Sequence, residues 1–83
     1  METQSFAYNE SDQVTQTRWA EVRAIRDAKL SGADALMNLA MDSGLETAAI
    51  AEYRQALRNI PQTYNQPDDV VWPQKPLLPQ ASA

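Results

Sequence analysis

The chain has 83 residues, a net charge of −4, and neither cysteine nor histidine. That length suits one small domain whose core is marginal on its own. The missing residue types remove disulfides, thiol and imidazole catalysis, and any zinc site other than an all-carboxylate one, so no enzyme, metal or cofactor is expected.

The acidic balance, with a pI near 4.5, opposes the phosphate neutralisation that nucleic-acid binders need and suits a protein partner instead. The opening METQSFAYNES has no basic n-region and no apolar h-region, so no secretory signal is expected. No run approaches the roughly 18 apolar residues of a membrane span. A protein made and kept in a cytoplasm, with neither nucleic acid nor membrane among its partners, is the expectation. Residues 1–10 are polar but hold Phe6 and Tyr8 two apart, which suits either a frayed terminus or a short segment that docks two aromatics.

From Asp12 the pattern turns helical. Trp19, Val22, Ile25 or Arg26, and Leu30 recur at helical spacing, and Arg18, Glu21, Arg23 and Asp27 take the other faces. Ser11 is placed to cap the start, with Asp12 near the positive end of the helix dipole. Ser31-Gly32 reads as a stop, because glycine takes the left-handed conformation that ends helices. A first helix over residues 12–30 follows. Residues 33–41, ADALMNLAM, then suggest a two-turn helix that is stable only when packed. Its Leu36, Met37, Leu39 and Met41 are apolar on more than one side, which suits either a three-helix core or an interface with a larger protein or a second copy of this chain.

Asp42-Ser43-Gly44 breaks the pattern. Ser43 and Glu46 have the spacing of a capping box, which would start the next helix there. Leu45, Ala49, Tyr53, Ala56 and Ile60 step along one face of that helix, and Arg54 and Arg58 sit near its negative end. Tyr53 and Trp19 are most simply core residues, and Arg54, Gln55 and Arg58 most simply a solvated ridge. Pro61 is expected to end the helix, since the residue before a proline is pushed out of the helical region.

Beyond it, Pro67, Pro73, Pro76 and Pro79 exclude another long helix. Asn65 to Asp68 suggests a turn, and Val70-Val71-Trp72 a short strand or strand-like dock. Asp68 and Asp69 are adjacent, so in an extended segment they diverge and form no metal or acid pair. Trp72 has two readings: a staple across the helices, or an anchor in a partner's pocket. The fold class is mainly α, a small helical hairpin or three-helix unit followed by a proline-rich extended arm. The expected division is residues 1–10 as a flexible or docking segment, 11–61 as the hairpin domain, and 62–83 as the arm.

The run Tyr53-Arg54-Gln55-Ala56-Leu57-Arg58-Asn59-Ile60-Pro61, followed by Pro67, Asp68, Val70, Trp72, Pro73 and Pro76, resembles the C-terminal domain of the phage tail assembly chaperone family, whose members are encoded beside tail-fibre genes. Arg26-Asp27 is similar to that family's usual Arg-Asp pair. The likeness spans about residues 18–76. Two features depart from it: where family members usually carry an apolar pair and an Asp-Trp after the Arg-Asp, Lys29-Leu30-Ser31-Gly32 leads into Ala33 to Met41 with no tryptophan, and only about ten residues precede the first helix. The resemblance implies a non-enzymatic helper that binds a tail-fibre or baseplate protein and assists its folding, trimerisation or attachment in the host cytoplasm. A structural adaptor retained in the virion tail is the alternative, and a homo-oligomer is a further expected assembly. The surface expected to meet the partner comprises Tyr53, Leu57, Ile60, Val70, Val71, Trp72 and Pro73.

Overall fold

The computed structural model describes residues 10–78. They form a mainly helical unit: helix α1 (Glu10–Asp42), helix α2 (Ala48–Arg58), a single-turn helix α3 (Ile60–Thr63), and a 3₁₀ turn (Pro67–Asp69). There is no strand among the described residues, and residues 70–78 follow the 3₁₀ turn without regular secondary structure. Phe6 and Tyr8 lie outside the described residues.

The first helix does not stop at Ser31-Gly32, and residues 33–41 are no separate helix. Both belong to α1, whose 33 residues make a rod about 50 Å long at 1.5 Å per residue. Interior glycine costs up to about 1 kcal/mol relative to alanine. Strong helix formers on both sides, together with Ala33 packed fully out of solvent in the core, outweigh that local preference.

The true stop is Gly44. Its φ of 69° is the left-handed conformation that glycine adopts without steric cost. The Leu45 N–H donates to the Ala40 carbonyl at 2.8 Å and the Gly44 N–H to the Met41 carbonyl at 3.1 Å, which together make a Schellman motif. Ser43 therefore helps close α1 and does not open α2. The next helix begins only at Ala48, after Thr47, and Thr47 makes no side-chain capping bond, so the Ser43–Glu46 box does not form.

α2 folds back against α1. Ala33 of α1 meets Tyr53 and Leu57 of α2 and Ile60 of α3 in one cluster, with Val22, Leu30, Tyr64, Val70 and Trp72 packed around it. Ala33 and Ala40, seven apart and both buried, share a face of α1, and their small side chains allow close approach of the second helix. The buried face is Ile50, Tyr53, Leu57 and Ile60, which advance by three, four and three. Of the stripe read from the sequence only Tyr53 and Ile60 are buried, while Ala49 and Ala56 face solvent, so the face is rotated toward the bulkier Ile50 and Leu57.

Pro61 interrupts the helix without ending it outright. It has no N–H to donate four residues back, so α2 closes at Arg58, and Pro61 sits in the first turn of α3. The Asn59 carbonyl gathers the freed donors, accepting from the Gln62 N–H at 3.0 Å, the Thr63 N–H at 2.9 Å and the Thr63 hydroxyl at 2.9 Å. One further helical turn thus carries Ile60 into the core. The radius of gyration, 18.2 Å, exceeds the roughly 12 Å of a compact chain this long. α2 is about 16 Å long and covers only part of α1.

Candidate partner-docking site

The segment after α3 is a strap that turns beside α1 and comes back over the core. Asp68, in the 3₁₀ turn, accepts from the Arg18 guanidinium at 2.9 Å. From there the chain runs to Trp72, whose ring lies 5.5 Å from the Lys29 Nζ. Lys75 then reaches the face of α1 that carries Ile25, Ala28 and Gly32. Between these points Tyr64 donates its hydroxyl to the Val71 carbonyl at 3.2 Å.

Val70, Val71 and Trp72 form no strand, because no neighbouring strand supplies ladder partners. They keep the alternation of extended backbone. Val70 and Trp72 pack against the core, while Val71, on the opposite side, is 71% exposed. Of the two readings of Trp72, the packing geometry is that of the staple. Its indole closes the core between the helices, and the Lys29 ammonium over its face adds a cation–π contact.

The seven residues expected at a partner surface occupy two layers. Tyr53, Leu57 and Ile60 are interior, Leu57 with no exposed surface at all. Val70, Trp72 and Pro73 are half-buried above them, and Val71 faces solvent. An open groove of about 420 Å³ runs along this edge, with Ile60, Thr63 and Tyr64 on one wall and Val71, Trp72 and Pro73 on the other. The strap raises one wall, and α3 the other. Farther along, Leu77 is 89% exposed.

Elsewhere the surface is ordinary. Leu36 and Met37 are half-buried, while Leu39 and Met41 face solvent. Arg54 is not simply solvated: its Nε lies 3.1 Å from an Asp34 carboxylate oxygen of α1. The alignment is too poor for a directed hydrogen bond, so the contact is an ion pair by distance alone. Arg26 donates twice to the neighbouring Asp27, at 3.2 and 3.1 Å. Among the described residues no three acidic side chains gather as metal ligands, and no helix is long and apolar enough to cross a membrane. The Arg18–Asp68 and Lys29–Trp72 contacts join residues 50 and 43 positions apart. Neither has a periodic signature in a single sequence.

The sequence model of the phage tail assembly chaperone protein family matches residues 19–77. No curated protein and no solved structure matches the chain.

Proposed function

The chain belongs to the phage tail assembly chaperone family, and from that premise we propose that it binds a tail-fibre protein, or a baseplate protein beside it, and assists folding, trimerisation or attachment before the tail is complete. It acts in the host cytoplasm during assembly, by covering apolar surface and without a chemical step. The observation that carries this reading is the strap edge. Trp72 is held inward, so Val71 is presented outward beside the open groove, with the half-buried Pro73 next to it. An extended, proline-flanked segment already fixed in place loses little conformational entropy when a partner docks on it. A groove of this size accepts one or two apolar side chains, which gives a weak and releasable grip suited to a helper.

The test is co-expression of the chain with the tail-fibre protein. Soluble fibre trimer should increase, the two proteins should co-purify, and Val71→Asp should remove both effects while leaving the melting temperature within a few degrees, as expected for an exposed position. Unchanged fibre yield together with no co-purification overturns the proposal. Mass spectrometry of purified particles separates the two modes of action: stoichiometric presence makes the chain a retained adaptor, and presence only in lysate makes it a transient chaperone.

A further inference from the structure

A second concavity, of about 430 Å³, lies between α1, Tyr53 and the end of the strap. It is lined by Ile25, Ala28, Lys29, Gly32, Tyr53 and Lys75. The first three and Gly32 are spaced i, i+3, i+4 and i+7, so one face of α1 forms the floor, and the strap brings Lys75 to the rim. The chain has only two lysines, and both are here.

Among the described residues neither lysine lies within ion-pair distance of a carboxylate. The ion pairs Arg18–Asp68, Arg26–Asp27 and Arg54–Asp34 all use arginine. The sequence holds 11 acidic residues, yet the Lys29 ammonium rests over the Trp72 ring instead. Gly32 is the second observation. Glycine is the costliest residue in a helix interior apart from proline, and nothing within the chain requires it here: its φ is ordinary, and an added Cβ would meet no atom within 4 Å. What the missing side chain provides is open space in the floor.

We propose that this concavity seats an acidic peptide segment of a partner protein, with one apolar side chain over Ala28 and Gly32 and an adjacent carboxylate between Lys29 and Lys75. The charge arrangement selects the occupant. A chain of net charge −4 repels an acidic partner over much of its surface. Arg23 and Arg58 are also without an ion pair among the described residues, but Lys29 and Lys75 are the cations that line this concavity, and that pairing of charge with shape fixes where such a segment docks. The tail-protein reading enters only as the source of the segment, and the site itself stands on the chain's own geometry.

The test is titration of the ¹⁵N-labelled full chain with the capped peptide acetyl-Ser-Leu-Asp-Asp-Ser-amide, followed by amide NMR. Saturable shifts at Ala28, Lys29, Gly32 and Lys75 are expected at millimolar peptide. Replacing both aspartates by asparagine should weaken binding about fivefold, as two exposed ion pairs are lost, and added salt should do the same. Gly32→Leu fills the floor and should abolish the shifts, with circular dichroism reporting an intact helix. Lys75→Gln, on the strap and away from α1, should weaken binding about twofold to threefold. The proposal is overturned by absence of shifts at these residues, by equal binding of the asparagine peptide, or by binding that survives Gly32→Leu. It is also overturned if the Gly32 amide shifts with the concentration of the free protein, which would make a second copy the occupant. Because the readout needs no tail protein, its failure is separate from failure of the chaperone reading.

Discussion

Trp72→Ala tests whether the strap belongs to the fold. Replacing a fully buried tryptophan by alanine costs about 3–5 kcal/mol. Trp72 is half-buried against the core cluster, so about half of that, roughly 2 kcal/mol, is the expected packing loss. The Lys29 ammonium at 5.5 Å from the ring centre adds about 0.5 kcal/mol. For a domain of this size each kcal/mol moves the melting temperature by about 4–8 °C, so a fall of roughly 10–20 °C is expected by circular dichroism. Val71→Ala is the matched control. It sits next in the chain but faces outward, and it should change stability by less than about 0.5 kcal/mol. A double-mutant cycle with Lys29→Met should return a coupling near 0.5 kcal/mol between Lys29 and Trp72. If Trp72→Ala and Val71→Ala melt together, the inward packing of Trp72 is refuted, and the strap lies loosely on the helices.

Gly32→Ala should raise stability by up to about 1 kcal/mol, measured by urea unfolding, since it removes a helix-interior glycine where the Cβ meets nothing. Gly44→Ala should do the opposite by a similar amount, because the same residue type there holds a φ of 69°; equal effects at the two sites would contradict the assignment of the helix end. Tyr64→Phe removes the hydroxyl that holds the Val71 carbonyl and should cost about 0.5–1.5 kcal/mol. It should also speed proteolysis within residues 70–78, and unchanged cleavage would mean that this bond does not hold the strap.

Much of the fold was legible because its main signals are local and periodic. Tyr53 and Ile60 lie on the stripe that the spacing draws, although Ile50 and Leu57 fill the core where Ala49 and Ala56 were expected, and the break at Asp42-Ser43-Gly44 is where the chain reverses. Two glycines with similar neighbours misled the reading. Ser31-Gly32 and Ser43-Gly44 look alike in sequence, and only packing on either side of Gly32 separates an interior residue from a stop. The capping box failed for a related reason: the Schellman motif recruits Ser43 and leaves α2 to begin four residues later than the spacing allows. The orientation of Trp72 could not be read at all. Its choice depends on Lys29, Tyr64 and the core cluster, and a strap of prolines and valines carries no period that encodes where it folds back. Nor does the sequence announce that its two lysines line one concavity, since the strap brings Lys75 to α1 only after the turn beside Arg18.

The long reach of α1 raises a last question, whether its first turns belong to the same unit as the hairpin and strap. The family match starts at residue 19, and the strap's ion pair with α1 is made at Arg18. From Glu10 to Thr17 every side chain except the half-buried Thr15 faces solvent, so these turns contribute little apolar burial. Among what they supply is acidic charge at the positive end of the helix, through Glu10 and Asp12, an effect of about 0.3–1 kcal/mol. A chain starting at Thr15, behind an initiator methionine, loses those charges but gains a threonine that can act as the N-cap. The two changes oppose each other, and Arg18 is kept. The melting temperature of this truncated chain should therefore stay within about 5 °C of the parent, and its affinity for the tail-fibre protein becomes the informative quantity. Retained affinity places partner recognition on the strap and the faces it frames. A melting temperature lower by 10 °C or more would refute the division, because it would mean that the projecting turns are packed in solution against something that stabilises the fold.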